Sequence, residues 1–311
     1  MSKVCIFGGS GTFGTAMTKK LLQTTNDEIV IYSRNEKMQF EHKQKIHSDR
    51  VKYIIGDIRD YQAVFNALEG VDYVLLASAM KHIDKCESNP DECRKTNIDG
   101  CINVINASIE RGIKKLVFLS TDKATNPSTI YGCSKLFLEM YIQCIDNKNT
   151  EIIRTRYGNV FGSNGSVAWI FEKLSREGRT LTITNPNMTR FFMSLDEAID
   201  LVLYALKNGK HKELYVYNNK SCTIQELADL FSNNQKVMGN RCEEKTDEAL
   251  LTINELNHSR LIDNKYYVVG KELMGNYDKP LTSDNAERLT KEELKKLLDN
   301  WRNYENSSNE L

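Results

Sequence analysis

Short apolar bursts rich in Val, Ile and Leu recur along the first half of the chain, at Val4–Phe7, Ile29–Tyr32, Tyr53–Ile55, Tyr73–Leu76, Leu116–Leu119 and around Ile152–Ile153. Each is too short for a buried helix, which predicts strands covered on both faces. Between them, apolar residues return at helical spacing in Thr15–Leu22, Tyr61–Leu68, Ile98–Ile109 and Leu136–Ile145. Strand and helix alternate, and that alternation predicts an α/β fold with a Rossmann-like, doubly wound parallel sheet. After Arg156 the alternation loosens into Gly-, Asn- and Thr-rich stretches, with helices predicted at Ser166–Ser175, Leu195–Leu206, Ile224–Phe231 and Ala286–Leu298. The expected division is a Rossmann domain over 1–157, to which 192–208 returns, and a smaller C-terminal lobe over 158–311. Thr290 and Glu293 have the spacing of a capping box at the last helix, and the polar Glu305–Leu311 is expected to fray.

Composition narrows the partners. Among 311 residues, 42 Lys and Arg balance 42 Asp and Glu, so the chain lacks the basic footprint of a nucleic-acid binder. No apolar run is long enough to span a bilayer, and the opening MSKVCIFGG has a strand-like burst rather than a signal segment. The sequence therefore predicts a cytoplasmic protein without membrane contact. Its 8 cysteines (Cys5, Cys86, Cys93, Cys101, Cys133, Cys144, Cys222 and Cys242) stand singly, with no C-x-x-C. Neither a metal site nor a disulfide frame is expected; the thiols should be reduced and mostly buried.

Candidate chemistry begins at the first strand end. Gly8, Gly11 and Gly14, with Ser10, Thr12 and Phe13 among them, sit between a strand and a helical stretch. Such a turn lets the backbone approach a pyrophosphate and aims a helix N-terminus at it. A merely tight strand-to-helix turn is the plainer alternative. Some 20 residues on, where an acidic residue would hold a ribose 2′-hydroxyl, the chain has Ser33-Arg34-Asn35 and then Lys37. Those cations suit a 2′-phosphate, so NADP is expected over NAD. Asp57 and Ile58 follow the third strand where an adenine would rest, although Asp57 could equally cap the next helix. Ala77, Ala79 and Lys81 follow the fourth strand near the nicotinamide; Lys81 could also be a solvated loop lysine.

Thr121, Asp122 and Lys123 follow the Leu116–Leu119 strand, and Tyr131 and Lys135 open the next helix. Tyr and Lys at i and i+4 share one helix face. A tyrosine with pKa near 10 acts as a base at neutral pH only beside positive charge. Lys135 and an oxidised nicotinamide would supply it, so that Tyr131 takes a proton from a sugar hydroxyl.

On these residues the chain resembles the extended short-chain dehydrogenase/reductases, and within them the inverting UDP-N-acetylglucosamine 4,6-dehydratases (5-epimerases) of polysaccharide biosynthesis. The resemblance runs through Gly8–Gly14, Ser33-Arg34, Ala79–His82, Asn89-Pro90, Thr96-Asn97, Ser120–Ala124, Tyr131–Lys135, Arg156–Asn159 and Met188–Phe191, and Thr282–Asn285 resembles the soluble capsule-type branch. It implies that Tyr131 deprotonates the sugar 4-hydroxyl as hydride leaves carbon 4, that Lys123 removes the carbon-5 proton, and that a protonated Asp122 donates to the departing 6-hydroxyl. A neutral lysine beside a neutral carboxylic acid is a demand in tension with ordinary ionisation. Lys81, Asn159, Ser166, Val167, Thr184, Arg190, Arg241 and Glu244 are the implied contacts to a UDP-sugar. The resemblance also implies a homo-oligomer, with a hexamer among its forms. Asn164, Asp84 and Arg241–Lys245 depart from the family pattern, which touches the uridine contacts more than the chemistry. Two other readings stand beside this one: a UDP-hexose 4-epimerase of the same fold, which needs no Asp-Lys pair, and a non-catalytic NADP-sensing protein, which needs neither Tyr131 nor Lys135.

Overall fold

The structure, a computed structural model, describes residues 1–147, 149–239 and 244–309. The chain folds as two compact units: Met1–Ser120, Thr129–Thr155 and Ile199–Tyr215 form the first, and Thr121–Ser128, Arg156–Ala198 and Val216–Leu311 the second. In chain order the early elements are β1 (Lys3–Phe7), α1 (Thr12–Thr24), β2 (Glu28–Ser33), α2 (Glu36–Lys45), β3 (Val51–Ile55), α3 (Tyr61–Ala67), β4 (Tyr73–Leu76), α4 (Ile83–Ser88), α5 (Pro90–Arg94), α6 (Cys101–Glu110), β5 (Lys115–Leu119), α7 (Ile130–Cys144) and β6 (Glu151–Arg156). Then come β7 (Asn159–Val160), α8 (Val167–Arg176), β8 (Leu181–Ile183), β9 (Thr189–Met193), α9 (Leu195–Asn208), β10 (Leu214–Tyr217), β11 (Lys220–Thr223), α10 (Ile224–Ala228), β12 (Gln235–Val237), β13 (Ala249–Leu251), α11 (Ile253–Asn257), β14 (Ser259–Ile262), β15 (Tyr266–Val269), β16 (Leu281–Thr282) and α12 (Lys291–Asn309).

In the first unit the strands lie in the order β3-β2-β1-β4-β5-β6, and each neighbouring pair is parallel. This is the doubly wound Rossmann arrangement. Its order reverses between β1 and β4, so the turns leaving these strands open the crevice in which such sheets hold ligands. The core under it includes Phe7, Tyr32, Val74, Leu76, Val104, Phe118, Leu138 and Ile152. The second unit has the sheet β11-β9-β7 and the pairs β12-β8 and β13-β16, packed on Phe161, Phe171, Met188, Phe192, Leu227 and Leu294.

The six predicted strands are present with slightly wider bounds. Three helical segments depart from their patterns. α2 has no apolar face to announce it; its buried residues are Gln39 and His42, and Asn35 accepts from Met38 N to cap it. The helix read from Ile98 begins as a π turn over Lys95–Gly100 and becomes α-helical at Cys101. The last helix starts at Lys291 rather than Ala286, since Glu287 to Leu289 run extended beside Ser221, and Thr290 and Glu293 close the expected capping box. It runs to Asn309, so most of the polar tail is helical rather than frayed.

Among the described residues, Cys5, Cys86, Cys93, Cys101 and Cys222 are free and buried, while Cys133 and Cys144 are free and exposed. No group of residues there could hold a metal ion, and no helix is long and apolar enough to cross a membrane.

Candidate active site

In the first unit the glycine turn leaves β1 and enters α1 at its N-cap, Gly11. At Gly14 a Cβ would stand 2.3 Å from Gly9 O, so packing alone demands glycine there. At Gly11 it would meet only Gly8 O, at 3.4 Å, and no side chain caps the helix. The fold does not need the missing side chain at Gly11; its absence leaves the first-turn N–H groups open to a ligand. An uncapped helix end with a bare backbone beside it suits a phosphate, so the residues fit a dinucleotide.

Ser10 Oγ donates to Ser33 Oγ at 2.9 Å, and Gln39 Nε2 donates to the same oxygen at 3.0 Å, which ties the glycine turn to the end of β2. Arg34, with half of its side chain exposed (50%), pairs with Asp57 at 3.5 Å. Lys37 is 84% exposed and pairs with Glu41. Asp57 also binds the Arg59 guanidinium and backbone N–H. Burial works to raise the Asp57 pKa, but those hydrogen bonds and the charges of Arg34 and Arg59 prevail and hold it below the usual carboxylate range. Asp57 does not cap the following helix. Asp60 does, accepting from Ala63 N at 3.0 Å. Ile58 is buried; Ala77 donates its N–H to Phe7 O, Ala79 is half-buried, and Lys81 is exposed.

Tyr131 and Lys135 occupy the first two turns of α7, which Thr129 caps through Gly132 N. Lys135 is buried; its Nζ donates to Leu119 O at 2.9 Å and lies 4.7 Å from the centre of the Phe118 ring. Burial depresses its pKa, with nearby Cys101 and Glu139 opposing. Asn97 entered the sequence analysis only as part of the Thr96-Asn97 resemblance, without a role. This wholly buried residue, carried by the π turn, accepts from Met80 N at 2.7 Å and donates to Met80 O at 2.9 Å and Ser134 Oγ at 3.2 Å. Ser134 Oγ in turn donates to Tyr131 O. The loop after β4 and the helix bearing Tyr131 are thereby locked together.

In the second unit, Asp122 to Ala124 form one 3₁₀ turn that Thr121 caps. Thr121 Oγ1 and Lys123 Nζ both donate to Asp122 Oδ1, at 2.9 and 3.0 Å. Asp122 is fully buried, and its Oδ2 has no hydrogen-bond partner among the described residues. A shielded carboxylate oxygen left open is costly in a folded protein and marks a place kept for chemistry. Lys123, its side chain 18% exposed, also donates to Asn159 Oδ1 at 3.4 Å and lies 3.8 Å from Glu248 Oε1. Burial works against its charge, but Asp122 and Glu248 prevail, with Arg190 opposing them, and Lys123 is held above the usual lysine range. In this state it is an ammonium.

The remaining expected contacts divide. Arg190 donates to the carbonyls of Thr189, Lys245 and Thr246, so much of its guanidinium secures the segment that carries Glu248. Thr184 donates to Met188 Sδ, which Arg190 also approaches. Ser166 caps α8, which begins at Val167. Glu244 is half-buried, with Oε2 shielded and unpartnered among the described residues. Arg241 lies outside the described residues. Glu248, central to this cluster, escaped the sequence analysis because nothing local marks it, and Ser283 entered only within the Thr282–Asn285 resemblance, without a role.

Residues 4–270 match the family model described as polysaccharide biosynthesis protein. A protein of Campylobacter jejuni subsp. jejuni serotype O:23/36 (strain 81-176) named UDP-N-acetylglucosamine 4,6-dehydratase (inverting) is 40% identical over 273 residues, 85% of this chain and 82% of that protein. One of Rickettsia canadensis (strain McKiel) named UDP-glucose 4-epimerase is 36% identical over 321 residues, 94% of each chain. The X-ray structure of Pen from Bacillus thuringiensis superposes with a TM-score of 0.90 at 33% identity, covering 96% of this chain and 97% of that one.

Proposed function

Since the chain belongs to the polysaccharide biosynthesis protein family, among the extended short-chain dehydrogenase/reductases, we propose that it is an NADP-dependent 4,6-dehydratase that inverts carbon 5 of UDP-N-acetylglucosamine. The product would be a UDP-2-acetamido-2,6-dideoxy-L-hexos-4-ulose, an early intermediate for surface polysaccharide. With this reading go a cytoplasmic location and a homo-oligomer.

The observation that carries the reading is the Asp122–Lys123 pair. A 4-epimerase needs no acid and base of this kind; an elimination across carbons 5 and 6 needs both. The pair shares one proton along its 3.0 Å hydrogen bond. Its transfer from the Lys123 ammonium to the Asp122 carboxylate creates a neutral amine and a carboxylic acid in a single step. Both neutral forms then arise within the pair without a proton from solvent, at the cost of moving the proton against the ordinary pKa order of the two groups. The amine then takes the carbon-5 proton, and Asp122 donates the proton it has received to the departing 6-hydroxyl.

A dinucleotide held at Gly8–Gly14 and Ser33-Arg34 supplies reversible acceptance of hydride from the sugar. Tyr131 takes the 4-hydroxyl proton. Lys135, fixed against Leu119 O, keeps a cation on the same helix face to lower the cost of the phenolate.

The test is proton NMR of UDP-N-acetylglucosamine incubated with the protein in deuterium oxide. Dehydration with deuterium at carbon 5 of an L-configured product is the expected result. A galacto-configured sugar without deuterium would instead establish the 4-epimerase reading, which the Rickettsia relative favours. No change with any nucleotide hexose would leave a dinucleotide-binding protein without this chemistry.

A further inference from the structure

The Asp122–Lys123 pair has a third member that the dehydratase reading does not use. Glu248 is buried, and its two carboxylate oxygens face different cations: Oε1 lies 3.8 Å from Lys123 Nζ and Oε2 lies 3.4 Å from Lys245 Nζ. Its backbone is clamped on both sides by one residue. Ser283 N donates to Glu248 O at 2.7 Å, and Glu248 N donates to Ser283 Oγ at 2.9 Å. Ser283 is fully buried and bonds onward to Thr189. Lys245 is fixed as well, donating to Thr125 O at 3.0 Å, two residues beyond Lys123. A carboxylate held this firmly between two lysines is a fixed charge rather than a mobile surface partner.

We infer that Glu248 is a positioning residue that sets how tightly Lys123 holds its proton, with Lys245 as the counter-cation that limits its effect. The inference deepens the dehydratase reading and rests on it only for its consequence in turnover. The charged groups facing Lys123 within the second unit are Asp122, Glu248 and Arg190. Asp122 attracts the Lys123 ammonium more strongly, but in the proposed elimination it takes up that proton and its charge is then lost. Glu248, turned toward Lys245 with its other oxygen, can serve as a constant field. An opposite charge at this distance favours the protonated amine by about one pKa unit or more. Its removal makes Lys123 easier to deprotonate. Removal of Lys245 does the reverse, because a repelling cation disappears and the Glu248 charge is no longer shared.

The probe is acetic anhydride, which acylates only neutral amines. Labelling of Lys123 at pH 9 is followed by peptide mass spectrometry and normalised to the exposed Lys37. In Glu248→Gln the Lys123 rate is expected to rise about tenfold, the change in neutral fraction that one pKa unit gives at that pH. In Lys245→Gln it is expected to fall below wild type. A purely structural role would move both variants alike. Rates within twofold of wild type in the folded variants, or a shift of the same sign in both, would overturn the inference. Turnover separates the two readings: if wild type dehydrates the sugar, the limb of the pH–rate profile set by Lys123 moves down in Glu248→Gln. If wild type leaves every UDP-hexose unchanged while the labelling shifts appear, Glu248 still governs Lys123 and the dehydratase assignment is the one that falls.

Discussion

In the first unit, the groups offered to a dinucleotide lie on the strand ends that carry them: the glycine turn on β1, Ser33 and Arg34 at β2, Ala77 to Lys81 after β4. In the second unit, the Lys123 ammonium meets Asn159 from β7, Arg190 from β9 and Glu248 ahead of β13, and Glu248 is held by Ser283 beyond β16. The first arrangement uses backbone N–H groups whose direction is set as soon as strand and helix form. The second uses side-chain charges, which reach their working state only when distant segments arrive together. Local chemistry of the first kind should tolerate change elsewhere in the chain, whereas the charge cluster should respond to changes far from the reacting atoms.

The largest expected effect is at Arg156, in the second unit. This buried guanidinium donates to both Glu255 oxygens at 2.9 and 3.0 Å and to Leu250 O at 2.8 Å, directly beside the segment that carries Glu248. Arg156→Met leaves Glu255 without its cation and should cost about 3 kcal/mol in urea unfolding. Under folding conditions dinucleotide affinity, measured by calorimetry with NAD and NADP, should stay near wild type, and a matching loss would break the contrast between the units.

The next effect belongs to the first unit and to pH. His42 is buried, and burial, helped by the charges of Lys19 and Lys45, lowers its pKa from 6.5 to about 4. The folded state keeps this imidazole neutral while the unfolded chain protonates it below pH 6.5. Its contribution is therefore intact above that pH and is lost as pH falls to about 4. The loss is about 3 kcal/mol, to be read from urea midpoints at pH 7, 5.5 and 4.5. His42→Leu should flatten that slope; an unchanged slope would assign it to other groups.

The smallest effect is at Gly14. A methyl group there meets Gly9 O, and Gly14→Ala should cost about 1–3 kcal/mol by overpacking the turn, with weaker dinucleotide binding. Anhydride labelling of Lys123 should not change. A change there would show that the glycine turn and the charge cluster are not separate devices.

The amino-acid pattern alone carried the six parallel strands, the Thr290–Glu293 cap and the place of each strand-end motif, but not the caps at Asn35, Asp60 or Thr129. Alternating apolar bursts and helical spacing are local properties, and Gly8–Gly14, Ser33-Arg34 and Tyr131–Lys135 derive their geometry from elements a few residues long. The sequence did not mark α2, whose buried face is Gln39 and His42, or the π turn, whose purpose is to bring Asn97 to Met80 and Ser134. Folding alone surrounds Lys123 with the charges of Asp122 and Glu248, which hold its pKa above the usual lysine range, engages Arg190 with the carbonyls of residues 189, 245 and 246, and puts Glu248 between two lysines. The protonation of a side chain depends on the charges within a few ångströms of it, and the segments bearing those charges lie far apart in the chain until folding brings them together.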